Sequence, residues 1–168
     1  MLLHPTALPG AEGIGTLGAA AGQFLDFLED AGCQYWQLCP LGPTGYGDSP
    51  YQCFSAFAGN PNLIDLQACV DHGLLDPADL APLAQLDRGR VDYGAIFRLK
   101  WPLLFKAAAR HAAAGEPALH GDFREFAERE AAWLDDYAYF RALKDHLGGK
   151  PWWEWPEELR HHDRAGRS

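Results

Sequence analysis

The sequence predicts an α/β fold, of which this chain of 168 residues is expected to form the front part. An amphipathic helical pattern is followed by a short apolar run, and a long loop rich in glycine and proline comes next. Helix, strand and loop in this order are typical of α/β proteins. The chain after Leu66 has a mainly helical pattern, which predicts a large helical region beyond the loop.

The first helix is predicted over 17–31. Thr16 can cap its start, and Gly32 can end it in the left-handed conformation. Apolar residues recur at the spacing of one buried helical face, at Leu17, Ala21, Phe24, Leu25 and Leu28.

The next segment, CQYWQLC at 33–39, predicts a strand centred on 34–39. It is short, apolar and bounded by Gly32 and Pro40, which suits a strand covered on both faces in a parallel sheet. A single parallel strand leaves backbone donors and acceptors unpaired at both edges. We therefore expect its neighbouring strands in a longer chain.

Helical patterns dominate the residues beyond the loop. A short strand is predicted over 67–72, and a helix over 93–114 with a bend at Pro102. Asp122 can cap a helix that ends near Leu147, before Gly148 and Gly149. The apolar stripe of that helix consists of Phe123, Phe126, Leu134, Tyr137, Phe140, Leu143 and Leu147.

The formal net charge of −9 disfavours binding to nucleic acid, whose phosphates attract basic surfaces. Residues 1–10 lack the basic region of a signal peptide, and no apolar stretch is long enough to span a membrane. We therefore expect a cytoplasmic protein with no nucleic acid and no membrane as partner. Its cysteines form no CxxC pair and fit reduced thiols, at Cys33, Cys39, Cys53 and Cys69.

Residues 13–18, GIGTLG, match the GxGxxG pattern of dinucleotide-binding proteins. That fingerprint also requires a strand directly before it and an acidic residue at the end of the next strand. Pro5 and Pro9 interrupt the preceding residues, and the next predicted strand ends in Leu38, Cys39 and Pro40. We interpret the segment as a glycine loop that enters a helix, and we expect no cofactor.

Residues 47–51, GDSPY, resemble the nucleophile elbow of serine hydrolases. Tyr51 stands where the GxSxG elbow has a glycine, and Pro50 lacks the backbone N–H that an oxyanion hole uses. Ser49 is therefore interpreted as a hydrogen-bonding group in a polar pocket rather than as a nucleophile.

Two clusters near the end of the chain have competing interpretations. HHD at 161–163 contains metal-ligand residue types, but adjacent helical residues point in different directions, so we expect a solvated tail and no metal site. The tryptophans of PWWEWP can stack on a ligand or pack against the preceding helix. We favour packing for all three, which are Trp152, Trp153 and Trp155.

The loop at 41–61 contains four glycines, three prolines, two tyrosines and two phenylalanines, more than a connector needs. Its glycines let the backbone approach a ligand closely, and its prolines reduce the entropy that ordering costs. Sugars present C–H faces for stacking and hydroxyls for hydrogen bonding. The loop offers groups for both, at Tyr46, Asp48, Ser49, Tyr51, Gln52 and Asn60.

Two stretches, at 2–18 and 34–66, closely resemble the start of the 4-alpha-glucanotransferase family, the amylomaltases of glycoside hydrolase family 77. LGPTGYGDSPYQ within the loop is the most specific part of this resemblance. GRVDYGAIFRLKWPLL, EREAAWLDDYAYFRALKD and GGKPWWEWP fit as well, so the resemblance spans essentially the whole chain.

The resemblance implies the N-terminal part of a TIM (β/α)8 barrel, with 33–39 as its first strand. Residues 1–66 would start the catalytic barrel and carry the substrate loop at 41–61, and 67–168 would form a truncated, mainly helical insertion. A complete barrel needs about 250 residues, so the barrel is expected to be incomplete in this chain.

The implied reaction transfers α-1,4-glucan segments between maltooligosaccharides with retention, as in starch, glycogen or maltodextrin metabolism. Retention uses two carboxylates, which this family carries on later barrel strands. The resemblance therefore implies no catalytic residue in this chain and no activity of the chain alone. The implied partners are maltooligosaccharides, amylose and other α-1,4-glucans.

The resemblance also implies roles for individual residues. Ser49 and Tyr51 match positions near the cleavage subsites, and Tyr46 and Tyr93 match an accessory glucan site. Asp48, between these loop positions, is included among the substrate-binding residues. Two alternatives stay open, a non-catalytic carbohydrate-binding module and a truncated gene product that does not fold.

Overall fold

The computed structural model describes residues 1–114 and 121–160. The chain forms two compact units, Met1–His120 and Gly121–Ser168. The α-helices of the first unit are α1 (Ala19–Asp30), α2 (Leu66–Asp71) and α3 (Tyr93–Ala114). The second unit contains α4 (Phe123–His146) and α5 (Glu157–Arg160). None of the helices in these described ranges is long and apolar enough to cross a membrane.

Helix α1 begins at Ala19 rather than at Leu17, and Gly18 rather than Thr16 occupies its N-cap. The predicted end is confirmed. Gly32 has a φ of 68°, and the Cys33 N–H donates to the Leu28 carbonyl at 2.8 Å. A glycine in this conformation lets the chain turn and satisfies the last free carbonyls of the helix.

The buried face of α1 is narrower than its sequence pattern predicts. Ala21 and Leu28 are buried and Phe24 is half-buried, but Leu17 and Leu25 are exposed. Trp36 covers Phe24 edge-on with ring centroids 5.0 Å apart. The contacts within the described residues therefore bury a stripe of α1 rather than its whole apolar face.

The strand predicted over 34–39 is not formed in the described residues. Its backbone makes one parallel bridge, between Gln37 and Leu2, with the Gln37 N–H donating to the Met1 carbonyl at 2.8 Å. Tyr35 is 80% exposed, so the expected cover on both faces is also wrong for this chain. A strand is stabilised by pairing along its length, and residues 1–3 pair with too little of this segment.

The short strand predicted over 67–72 is wrong, because residues 67–71 lie in helix α2 and His72 is its C-cap. The Asp65 side chain accepts from the Gln67 N–H at 3.0 Å and caps that helix. This cap satisfies one of the free N–H groups at the start of the helix and so stabilises it. A prediction made from β propensity alone does not include that contribution. The core of the first unit lies between α2, α3 and the segment joining them, at Leu66, Leu75, Leu83 and Ala107.

Helix α3 has the predicted bounds and contains Pro102. Two ion pairs connect α3 to the preceding turn at Pro77–Leu80 and its N-cap. Lys106 Nζ lies 2.6 Å from Asp79 Oδ2, and Arg110 Nη2 lies 2.8 Å from Asp76 Oδ2. The bend expected at Pro102 stays a prediction.

A buried ion pair joins α3 to the glycine-rich residues near the start of the chain. Lys100 Nζ donates to Glu12 Oε2 at 2.6 Å, to the Asn62 carbonyl at 3.0 Å and to the Ile64 carbonyl at 2.7 Å. Burial raises the pKa of Glu12 and lowers that of Lys100, and the attraction between the two opposes both shifts. All three partners of Nζ are acceptors, which favours the ammonium form with three donors.

The GIGTLG segment packs closely against the residues before it. Gly15 lies so close to the Pro5 carbonyl and the Leu8 backbone that a Cβ would collide with them, and Gly13 has a φ of 74°. The interpretation as a glycine loop before a helix agrees with this geometry.

In the second unit, the Asp122 side chain caps α4 and accepts from the Arg124 N–H at 2.8 Å, as predicted. Gly148 and Gly149, with φ of 68° and 79°, follow its end. The apolar stripe is half-buried from Leu134 onward, whereas Phe123 and Phe126 are exposed. The stripe therefore packs only along the second half of the helix.

The three tryptophans of PWWEWP behave differently from one another. Trp155 is buried against Phe140 of α4, with ring centroids 5.7 Å apart, which confirms its packing role. Trp152 and Trp153 are exposed, so packing is wrong for these two. Trp152 begins a 3-10 turn that ends at Glu154, and Trp155 follows as its C-cap and is the residue whose ring contacts Phe140 of α4. The HHD cluster lies outside the described residues.

We predict that Lys100→Met lowers the free energy of unfolding by about 3–5 kcal/mol, because it leaves the Glu12 carboxylate buried and unpaired. Urea unfolding followed by far-UV circular dichroism measures the loss. Glu12→Gln/Lys100→Met should recover part of it, because the amide still accepts from the Leu66 N–H. As the control, Lys106→Met removes a solvent-accessible ion-pair partner and should cost much less, because water screens this pair. Equal losses in the two single variants would contradict this interpretation.

We also predict that Gly15→Ala lowers the free energy of unfolding by about 1–3 kcal/mol or more, because a backbone contact must open to admit the methyl group. Gly22→Ala in α1 is the matched control, since nothing lies within 4 Å of its added Cβ. It should stabilise the chain by up to about 1 kcal/mol through helix propensity. Thermal unfolding of both variants checks the pair, and an unchanged Gly15→Ala would show that the packing is loose.

Candidate functional site

The loop at 41–61 closes on itself through its own backbone. The Asn60 N–H donates to the Leu41 carbonyl at 2.7 Å, and the Phe54 N–H donates to the Pro43 carbonyl at 3.0 Å. Thr44 and Cys53 form an antiparallel bridge. The two ends and the two sides of the loop are thus held together, which leaves residues 46–51 at its tip.

The tip has a sharply turned backbone. Residues Tyr46–Asp48 form a 3-10 turn in which Gly47 has a φ of 80° and Asp48 a φ of 53°. Left-handed backbone is routine for glycine, and aspartate tolerates it better than most residues. Gly45 is needed for space rather than for a left-handed backbone. A Cβ at this position would lie only 3.0 Å from the Gln52 carbonyl oxygen.

Ser49 stabilises the turn at the tip through two hydrogen bonds to the residues that follow it. Its Oγ accepts from the Tyr51 N–H at 3.3 Å, and its carbonyl accepts from the Gln52 N–H at 3.0 Å. A serine that bonds to the backbone two residues later is a common turn stabiliser. The hydroxyl can still donate to a ligand oxygen, because it acts only as an acceptor in this bond.

Tyr51 presents an exposed aromatic face at the tip. Its side chain is 76% exposed, and its hydroxyl donates to Cys39 Sγ at 3.7 Å. This contact with Cys39 raises the pKa of the Tyr51 phenol. The ring is held at its hydroxyl end and open on its face, which is a geometry that suits stacking on a sugar.

Asp48 adds one half-buried carboxylate to the tip, and burial raises its pKa. A carboxylate can accept hydrogen bonds from sugar hydroxyls. A retaining glycosyl transfer needs a second carboxyl group about 5–5.5 Å from the first. Asp48 alone therefore cannot supply both the acid and the nucleophile of that reaction.

Four of the five predicted site residues lie in the tip of the loop. Asp48, Ser49 and Tyr51 share the tip, and Tyr46 begins the same turn. Tyr93 lies on another element, where it begins α3 and is half-buried. The hydrogen bonds of the described residues do not join Tyr93 to the loop.

Asn60, which the sequence suggests as a ligand-binding group, is buried and has a structural role instead. Its side chain accepts from the Asn62 N–H at 3.0 Å at the base of the loop. Asn62 in turn accepts from Trp101 Nε1 at 3.1 Å and, through its carbonyl, from Lys100. Sequence analysis missed Asn62, although its place directly after Asn60-Pro61 is typical of a capped turn.

The four cysteines are half-buried and free. Cys53 is part of the loop, and Cys39 contacts the loop through Tyr51. Cys53 Sγ donates to the Pro50 carbonyl at 3.0 Å. Clusters of three or more potential metal ligands do not occur among residues 1–114 and 121–160. The groups available around the tip are therefore aromatic faces, hydroxyls and one carboxylate.

Comparison with known proteins places these residues in a family. The family model of 4-alpha-glucanotransferase matches residues 3–167. The chain is 52% identical over 160 residues to the 4-alpha-glucanotransferase of Thermus thermophilus, covering 95% of this chain and 31% of that protein. It is 44% identical over 158 residues to the enzyme of Streptococcus pneumoniae serotype 4, covering 94% and 31%.

A solved structure gives the same result. The amylomaltase from Streptococcus agalactiae in complex with acarbose superposes with a TM-score of 0.85 and 38% identity, covering 94% of this chain and 32% of that one. The chain thus spans about a third of the length of the relatives it matches. A match over nearly all of the chain, in sequence and in fold, shows that it belongs to the 4-alpha-glucanotransferase family.

Proposed function

We propose that the complete protein of which this chain is a part is a 4-alpha-glucanotransferase that moves α-1,4-glucan segments between maltooligosaccharides with retention. The observation that carries the proposal is the family match over residues 3–167, which includes the closed loop at 41–61. The loop geometry supports it, because a pinned loop with an open tyrosine face is suited to a sugar ring. A molecule of this kind acts on maltooligosaccharides, amylose and related glucans.

Tyr51 and Ser49 act near the cleavage subsites in this proposal. Tyr51 stacks on a glucose ring through its exposed face while its hydroxyl stays on Cys39. Ser49 and Asp48 bond to hydroxyls of the same or the next sugar. The loop loses little entropy on binding, because its backbone hydrogen bonds already fix the tip.

Tyr46 and Tyr93 form an accessory glucan site in this proposal. Support comes from the base of the loop, where Asn62 joins the loop to α3 through Trp101 and Lys100. Because Tyr93 begins α3, the same junction sets the position of Tyr93 relative to the loop.

The proposal extends to the fold of the complete protein. Residues 33–39 form the first strand of a (β/α)8 barrel once neighbouring strands pair with them, and 67–168 belong to a helical insertion. Support comes from the parallel bridge at Gln37 and from the exposed side chains of Tyr35 and Leu38. We also propose a cytoplasmic location, which is supported by four free thiols.

The chain by itself is predicted to have no transglycosylation activity, since the loop supplies one carboxylate and the retaining mechanism uses two. After incubation with the purified chain, maltotriose should be recovered unchanged, as measured by chromatography. The complete enzyme, as the control, should form glucose and longer maltooligosaccharides. Products from the isolated chain would contradict this proposal about where the catalytic carboxylates lie.

In the complete enzyme, Tyr51→Ala is predicted to lower kcat and kcat/KM on maltotriose about tenfold. A stacking contact is worth about 0.5–1.5 kcal/mol beyond burial, and about 1.4 kcal/mol corresponds to tenfold. Tyr51→Phe is the matched control and should stay close to wild type, because it keeps the ring and loses only the hydroxyl on Cys39.

Tyr46→Ala is predicted to leave turnover of maltotriose nearly intact and to weaken action on amylose, because a remote site contacts only long glucans. Steady-state kinetics on both substrates separate the two tyrosines. Equal kcat losses on maltotriose would show that Tyr51 does not act at the cleavage subsites while Tyr46 acts only at a remote site. Unchanged kinetics with lower melting temperatures in both variants would show that the loop only packs.

A further inference from the structure

The turn after α4 exposes two tryptophan side chains that the packing of the second unit does not use. Trp152 is 56% exposed and Trp153 is 62% exposed. Their rings lie edge to face, with centroids 6.1 Å apart and planes at 81°. Two exposed indoles side by side form an apolar patch of the kind that marks interaction sites.

This pair is held on a rigid support. The adjacent Trp155 is buried against Phe140, and its Nε1 donates to the Lys150 carbonyl at 2.9 Å. Arg160 Nε donates to the Trp155 carbonyl at 2.7 Å, and Lys144 Nζ donates to the Gly149 carbonyl at 2.8 Å. The backbone of the turn is therefore anchored on both sides, which lowers the entropy lost when a ligand binds to the two rings that it carries.

The chemistry of the patch fits a neutral, hydroxyl-rich ligand. Within the described part of the chain, neither exposed indole N–H has a hydrogen-bond partner, so each can donate to a ligand oxygen. Glu154, Glu157 and Glu158 beside them are exposed, and they can accept from hydroxyls while repelling phosphates. Faces at right angles can contact successive rings of a chain that bends at each linkage.

We propose that Trp152 and Trp153 form a glucan-binding platform on the second unit, which takes an α-1,4-linked maltooligosaccharide. The inference rests on the proposed function for the choice of ligand, because that function brings α-1,4-glucans to this protein. It adds a site to the loop at 41–61, built from different residues on a different unit. The platform binds sugar and does not take part in bond cleavage.

Titration of the purified ¹⁵N-labelled chain with maltoheptaose tests the platform through its indole N–H resonances. Trp152→Ala and Trp153→Ala assign the two signals, and both variants should fold because the side chains are largely exposed. We expect these two signals to shift saturably, with smaller changes at the buried Trp155. Cellohexaose, with β-1,4 linkages, should bind at least fivefold more weakly.

Isothermal titration calorimetry of Trp152→Ala/Trp153→Ala with maltoheptaose should show an affinity at least fivefold weaker than that of wild type, or no measurable binding at a site outside the loop. Phe105→Ala is the matched control, because it removes an exposed ring from α3 and should leave the affinity unchanged. Tyr51→Ala removes the loop contribution separately. Platform failure and loop failure are thus distinguishable.

Platform signals that do not move at saturating maltoheptaose would overturn the inference, as would an affinity unchanged in the double variant. Signals that move with protein concentration alone would also overturn it, since they would show that a second copy of the chain covers the patch. Loss of loop binding with retained platform shifts would count against the proposed loop site and leave the platform standing.

Discussion

The Lys100 ammonium donates to three oxygen acceptors from two distant parts of the chain. These hydrogen bonds fix how the segments of the first unit are arranged. One acceptor is Glu12, before the glycine-rich segment, and the others are the carbonyls of Asn62 and Ile64, after the loop. Glu12 also accepts from the Leu66 N–H at the start of α2. A buried charge must be fully hydrogen-bonded to be tolerated, so these segments can be arranged around Lys100 in few ways.

The loop at 41–61 inherits its position from this junction. Its exit is pinned by Asn60 and Asn62, its two sides are bridged at Thr44 and Cys53, and its tip is turned by Gly47. Tyr51 can then stay largely exposed while its hydroxyl is fixed on Cys39. An exposed ring on a well-supported loop fits the binding role proposed for Tyr51, because apolar area left uncovered on a fixed backbone is typical of interaction sites.

The second unit repeats this arrangement with different residues. Trp155 fills the space against α4 and anchors a short turn, and the neighbouring Trp152 and Trp153 are presented outward by the same turn. In the second unit the buried Trp155 anchors the turn, whereas in the first unit the backbone hydrogen bonds of the loop do so. Local hydrogen bonds around a turn can thus prepare an aromatic surface without a large core beneath it.

Sequence patterns by themselves determined the long helices, their caps at Asp122 and their ends at Gly32 and Gly148, because these depend on contacts within a few residues. They also identified the loop and the family through LGPTGYGDSPYQ, a local signature. Only the tertiary structure decided that 34–39 makes a single bridge, that 67–72 is helical, that Asn60 is buried and that one tryptophan of three packs. Strand formation and burial depend on partners far away in sequence, and a local pattern carries no information about whether those partners are present.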